Sequence, residues 1–247
     1  MRKPSALRRV ALAAMLALTL LGGGLAIPQP ASAIIGGTAA AHLRGQVQIF
    51  VNVQYKCAGT LIARNWVLTA RHCFDNTGGN VDNALVVAGD RELFLGKIMK
   101  IAGIYKSPNY DAMLLNLWEN VPNAGELIVG YGLGLIPHNA NAAISGWGTT
   151  TINGTEPAGE LRICGMRVQK NSTHNGWVGA GNSAYELVVN GTGIPGAGDS
   201  GAGLYYSGRI FGIVIASDER TTAWALQINY IYQWILDVSG IDQASEW

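Results

Sequence analysis

Along residues 34–247, apolar and polar positions fall into many short runs. Residues 47–55 (VQIFVNVQY) alternate in part and are rich in β-branched and aromatic side chains, which predicts a strand. Residues 58–63 and 66–69 form an apolar pair around Arg64-Asn65, which predicts a hairpin. Further strands are expected over residues 85–88, 93–104, 113–117, 142–145, 161–168, 185–189 and 210–216. Gly, Pro, Asn and Asp punctuate the runs, as at Thr77-Gly78-Gly79-Asn80 and Asn153-Gly154. One segment has a different period. Ile228, Ile231, Trp234, Ile235 and Val238 share one face of a helix that ends near Gly240. Many short strands with regular turns predict an all-β sandwich or barrel. Neither repeat nor linker interrupts the stretch, so two β-barrels packed as one unit, with a cleft between them, would satisfy the length.

The first 33 residues do not fit that pattern. Arg2, Lys3, Arg8 and Arg9 precede an apolar run over residues 10–21, and Ala31-Ser32-Ala33 follows. A basic start, a short apolar segment and an A-x-A ending predict a secretory signal peptide over residues 1–33, with a protein domain over 34–247. The apolar run is short for a bilayer span, so no membrane association is expected. Arg8-Arg9 gives a weak hint of a twin-arginine signal.

Composition adds limits. The chain is 49% hydrophobic and 13% charged, a globular rather than a disordered balance. Its net charge is +1, but four of the 17 basic residues lie in the first 33, so the rest carries 13 bases against 16 acids. That balance excludes a basic nucleic-acid footprint. Export permits disulfides, and of Cys57, Cys73 and Cys164 one must stay over. Cys57 and Cys73 lie across the expected hairpin, where a bridge would pin the loop holding His72. Cys164 is expected to be a buried, inert thiol. The sequons at Asn153, Asn171 and Asn190 are attributed to chance in a chain rich in Asn, Gly and Thr.

The candidate chemistry centres on Gly196-Ala197-Gly198-Asp199-Ser200-Gly201-Ala202-Gly203. A glycine-rich loop of this kind turns sharply and brings backbone N–H groups close to a ligand, and Ser200 is its one hydroxyl. Activation of a serine needs a base and an orienting acid. All four histidines, His42, His72, His138 and His174, precede Ser200, so a scheme with histidine after serine has no base. Residues 34–71 contain no Asp or Glu, so an aspartate ahead of His72 is excluded as well. The order His, Asp, Ser stays open for His72. Asp111, at the edge of an apolar strand, would be buried and in need of donors, which the His72 imidazole supplies. No metal constellation is apparent, and no cofactor is expected.

These residues resemble the chymotrypsin-like (trypsin-like) serine proteases. Ile34-Ile35-Gly36-Gly37 is similar to their mature N-terminus, and residues 57–73 (CAGTLIARNWVLTARHC) to their histidine segment with its disulfide. Residues 109–117 resemble their aspartate segment, Ser145-Gly146-Trp147-Gly148 their Gly-Trp-Gly turn, and residues 198–201 their serine loop. The resemblance implies two six-stranded antiparallel β-barrels with a C-terminal helix, and a triad of His72, Asp111 and Ser200 between the barrels. It further implies an oxyanion hole from the N–H groups of Gly198 and Ser200, and an ion pair between Asp199 and the α-ammonium of Ile34. Cleavage after Ala33 would itself create that ammonium, with no separate zymogen step. The implied partners are protein or peptide substrates, with an inhibitor protein as a further candidate, and a monomer is expected.

Some positions depart from the family pattern. Gly196 stands where most members have a half-cystine, and Ala202-Gly203 replaces Gly-Pro. Ile194 falls where trypsins carry an aspartate, and Ile215, Ala216 and Ser217 take the place of Ser-Trp-Gly. With Ser217 and Ala223 narrowing the pocket, the preference expected before the cleaved bond is a small or medium apolar residue. Asp218 and Glu219 are expected to be solvated, or else to meet a basic substrate. The competing readings are a catalytically inactive, protease-like binding module and an ester hydrolase.

Overall fold

The structure is a computed structural model that describes residues 34–77, 81–174, 182–191 and 193–242. Residues 1–33, on which the signal-peptide expectation falls, lie outside the described residues. The first barrel comprises β2 (Gln46–Val51), β3 (Gln54–Ala63), β4 (Trp66–Thr69), β5 (Ala84–Ala88), β6 (Lys97–Lys106) and β7 (Met113–Leu117). They run antiparallel in the order β2-β3-β4-β7-β6-β5, and β2 pairs with β5 to close the ring. The second barrel comprises β8 (Asn141–Gly146), β9 (Arg162–His174), β10 (Asn182–Val189), β11 (Gly203–Tyr206), β12 (Arg209–Ser217) and β13 (Thr222–Gln227). Its order is β9-β10-β13-β12-β11-β8, closed by β8 on β9, and β1 (Thr38–Ala39) adds to the edge of β9.

The expectation of two six-stranded barrels holds, but several strand bounds differ. The run 47–55 is two strands, because the chain reverses at Asn52 and Val53. Both have positive φ, at 52° and 65°, the signature of the two-residue turns that match strand twist. Asparagine tolerates that conformation. Val53 does not favour it, which is why residue pattern alone continued the strand. β6 begins at Lys97, not at residue 93. β11 and β13 were not anticipated: one emerges directly from the glycine-rich loop, and the other (TAWALQ) presents small alanines to its core. A short helix, α1 (Ala124–Leu127), was not anticipated either. The C-terminal helix, α2 (Ile228–Ser239), buries Ile228, Ile231 and Ile235 and ends at Gly240, which takes a left-handed φ of 69° and donates its N–H to Leu236 O.

Packing explains why several strands read as continuous apolar runs. Successive side chains of a strand point to opposite faces. Leu61, Val67, Met113 and Leu115 fill the first barrel, while their neighbours Ile62, Leu68 and Leu114 turn outward. The outward set joins Ile213 and Ile215 of β12 and Ile231 and Ile235 of α2 in a separate core between the barrels. Strands at this seam are buried on both faces and so lose polar alternation. The second barrel has its own core around Ile144, Met166, Tyr185 and Leu187, and Ile34 belongs to it.

The seam also contains a buried polar network. Gln46 of the first barrel meets the Tyr205 hydroxyl of the second at 2.5 Å, and Arg44 O lies against the same hydroxyl. With its amide oxygen facing the Gly203 N–H at 3.1 Å and its NH₂ facing Ser145 O at 3.2 Å, Gln46 meets donors and acceptors from both barrels. Leaving a buried polar group unpaired costs about 1–3 kcal/mol. Tyr205→Phe is therefore expected to lower the unfolding free energy by about that amount, read from urea denaturation. An unchanged midpoint would show that the network contributes nothing net.

Candidate active site

β4 ends at Thr69, and a 3-10 turn over Arg71–Thr77 follows at once. His72 sits in its first turn rather than at the strand end. The turn is tied down at two points. Cys73 is disulfide-bonded to Cys57 of β3, and the Thr69 hydroxyl donates to Ala58 O at 2.8 Å. Asp111 lies two residues before β7 and is fully buried. One of its oxygens accepts the backbone N–H of His72 at 2.9 Å, and the other accepts Nδ1–H at 2.7 Å. The second contact assigns the tautomer and leaves Nε2 as the acceptor. Nε2 lies 2.8 Å from Ser200 Oγ, so Asp111, His72 and Ser200 form one continuous hydrogen-bonded line.

Ser200 comes from the other barrel, and tight backbone contacts hold it there. Ala58 donates its N–H to Ser200 O at 3.0 Å, and Gly201 donates to Val214 O at 2.8 Å. Gly201 has φ 83°, and a Cβ there would lie 2.2 Å from Thr69 Oγ1 and 2.3 Å from Ala58 O. Only glycine fits where the serine loop crosses the histidine segment. Gly198 has φ 92°, and its carbonyl accepts the Tyr55 hydroxyl at 2.9 Å.

Asp199 is also fully buried, facing away from the line. Its carboxylate accepts the N–H of Gly148 at 2.8 Å and the N–H of Gly196 at 2.9 Å. Cβ atoms at Gly146 and Gly148 would fall 2.1 Å and 2.4 Å from its oxygens, so the Gly-Trp-Gly turn is the socket for this side chain. The ion pair expected between Asp199 and Ile34 requires a free α-ammonium. With Ala33 attached, the Ile34 nitrogen is an uncharged amide, although the Ile34 side chain is fully buried in the second barrel's core. Burial without a cation pushes the Asp199 carboxyl up to about 7, opposed by its two backbone donors and reinforced by the nearby Glu219 charge.

A cavity of about 410 Å³ opens beside Ser200 and His72. Lys56 and Asp75 flank it on the first barrel; Ile215, Ala216, Ser217 and Glu219 wall it on the second, with residues 196–198 between. Two expected pocket members are elsewhere. Ile194 bridges to Ile35 and packs in the second barrel's core, and Ala223 is buried there too, opposite Ser217 in register. Neither lines the cavity, whose wall on this barrel is formed by residues 214–217 and Glu219. Lys56, Tyr55 and Asp75 were missed by sequence reasoning, and nothing in their local pattern marks them. Glu219 was anticipated only as solvated or substrate-facing.

Cys57, His72 and Cys73 place ligand-type atoms within 4.8 Å of one another, but the two sulfurs are bonded together and offer no thiolate. Cys164 is free and buried, and burial pushes its thiol far above the usual range, which keeps it protonated and inert. Among the described residues, no helix is long and apolar enough to cross a membrane.

The Trypsin family matches residues 34–235. Serine protease 1 of Rattus norvegicus is 31% identical over 156 residues, covering 58% of this chain and 61% of that protein. A trypsin of Phaedon cochleariae is 27% identical over 192 residues, covering 68% and 71% respectively. Among solved structures, a scabies mite inactivated protease paralogue superposes with a TM-score of 0.73 at 18% identity, covering 84% of this chain and 97% of that one. That likeness speaks to fold alone, since a shared fold does not fix activity.

Two outcomes follow from this geometry. Removing the Cys57–Cys73 bridge, which spans 16 residues, by the double Cys→Ser change is expected to cost about 3 kcal/mol on the chain-entropy account, read by urea unfolding. In the uncut chain, Asp199 keeps its proton up to about pH 7, whereas an unfolded carboxyl loses it near 3.8. The native state then binds more protons between those values, so stability falls as pH rises across them. Unfolding measured from pH 4 to 8 on uncut wild type and Asp199→Asn checks this: the wild type's stability relative to the variant should decline with pH, and a constant difference would refute it.

Proposed function

Because this chain belongs to the Trypsin family of serine proteases, we propose that it is a secreted serine endopeptidase that works through an acyl-enzyme on Ser200. The observation that carries the reading is the line from Asp111 through His72 to Ser200 Oγ, with contacts of 2.7 and 2.8 Å. Ser200 Oγ attacks the scissile carbonyl while His72 Nε2 takes its proton. Asp111 keeps Nδ1 protonated and stabilises the imidazolium that forms. The N–H groups of Gly198 and Ser200 receive the oxyanion; one such donor is worth on the order of 10²–10³ in rate. His72 then returns the proton to the leaving amine, and a water repeats the sequence on the acyl-enzyme, restoring Ser200.

Residues 1–33 serve as the export signal, and residues 34–247 are the protease domain. Cutting after Ala33 exposes the Ile34 ammonium near the buried Asp199. That charge pairs with the carboxylate and fixes the serine loop; it fades at high pH as the amine loses its proton. The substrates are proteins or peptides. Ile215, Ala216 and Ser217 beside the cavity favour a small or medium apolar residue before the cleaved bond.

A serine-directed phosphonylating reagent should label Ser200 in the exported protein, and failure to label would sink the reading. Asp111→Asn should lower kcat on the order of 10⁴-fold by leaving the imidazole in the wrong tautomer. Cleavage of a peptide library reads the preference, and a dominant charged residue before the cut would overturn the apolar assignment.

A further inference from the structure

Glu219 lies two residues beyond the end of β12 with φ 57°, a left-handed conformation uncommon for a residue other than glycine. Its N–H donates to the Ser217 hydroxyl at 2.9 Å. Its carboxylate divides between two distant segments: one oxygen accepts the Ala197 N–H at 3.1 Å, and the other accepts the Asn153 N–H at 2.6 Å. A single side chain thus joins the 151–154 turn, the serine loop and the edge of the substrate cavity.

Ala197 is held on its other side as well, since its carbonyl accepts the Thr149 N–H at 2.7 Å. The next residue is Gly198, whose N–H the oxyanion needs. A side-chain brace from Gly196 is sterically excluded: a Cβ there would lie 2.6 Å from Thr149 Oγ1 and 2.8 Å from Thr149 O. No sulfur can therefore be placed at position 196 without moving backbone. Hydrogen bonds to an ionised acceptor are roughly twice as strong as neutral ones, which suits one carboxylate to the task.

We propose that Glu219 is a positioning residue that braces the serine loop noncovalently, holding the Ala197–Gly198 end in its oxyanion-binding shape. This rests on the serine-endopeptidase reading given above. Glu219 acts through Ala197 and does not touch the reacting atoms. The same carboxylate also narrows the cavity beside Ser217, but both of its oxygens are already engaged by backbone N–H groups.

The test compares exported wild type, Glu219→Gln and Glu219→Ala by hydrogen exchange and by kinetics on peptides that differ only before the cleaved bond. In Glu219→Ala, amides in 151–154 and 196–199 should exchange at least about tenfold faster while the two barrels stay protected. The kcat should fall about tenfold or more for every peptide, with KM changing less, because small misplacements near the reacting centre are costly. Glu219→Gln keeps one acceptor oxygen and should fall between. Unchanged exchange in both segments overturns the brace. A loss confined to peptides with Lys or Arg before the cut also overturns it, assigning Glu219 to substrate recognition. If Glu219→Ala loses protection throughout, Glu219→Gln decides by the same two readouts. If wild type cleaves nothing, the endopeptidase reading falls, and the exchange data still decide the brace.

Discussion

A fully buried carboxylate, that of Asp199, sets the shape of the loop that carries Ser200. An isolated charge in such a place is costly, so the chain surrounds it with donors. Two backbone N–H groups serve that role here, from Gly148 and Gly196, and the absence of side chains at Gly146 and Gly148 leaves the space. The serine loop folds around this anchor, its Asp199 N–H bonded to Gly196 O and its Ala202 N–H to Asp199 O. Glu219 supports the same loop from the outside through Ala197. The outer Glu219 charge raises the energy of ionising the inner Asp199, which ties loop shape to proton balance.

The second constraint is the seam between the barrels. His72 and Asp111 belong to the first barrel and Ser200 to the second, so the 2.8 Å contact between Nε2 and Oγ exists only if the barrels hold one relative position. Strands buried on both faces provide that position: Leu61 and Ile62, or Val67 and Leu68, serve two different cores from adjacent positions. The seam is then locked by fixed polar contacts, those of Gln46 with Tyr205 and of Ala58 with Ser200. Gly201 shows how close the approach is, since no side chain of any size fits between it and Thr69.

Much of this was legible in the chain. Order alone restricted the base to a histidine ahead of Ser200 and the acid to a position between them. Periodicity located α2 and its end at Gly240, because one apolar face and a left-handed cap are local properties. The turn at Asn52-Val53 was not legible, because it places a β-branched residue in a conformation that its own preference opposes. β11 and β13 were missed for a different reason: β11 is only four residues long and opens on a glycine, β13 carries alanines at its core positions, and each forms because neighbours on both sides offer ladders. Ile194 and Ala223 were assigned to the pocket by sequence position, but whether a residue reaches a cavity depends on how the barrel packs around it, and both are buried in the second barrel's core.

The sequence by itself determined the set of reactive groups, their order, the strand-rich class and the helix at the end, because each is carried by residue type and local spacing. Only the tertiary structure decided that Gly146 and Gly148 form the socket for Asp199, that Tyr55 reaches Gly198 O, and that Glu219 joins two segments to the serine loop. Those contacts connect residues 22 to 143 positions apart along the chain, with no periodicity to announce them. They exist because closed barrels bring loop ends together at one seam, where each buried polar group had to find its partner.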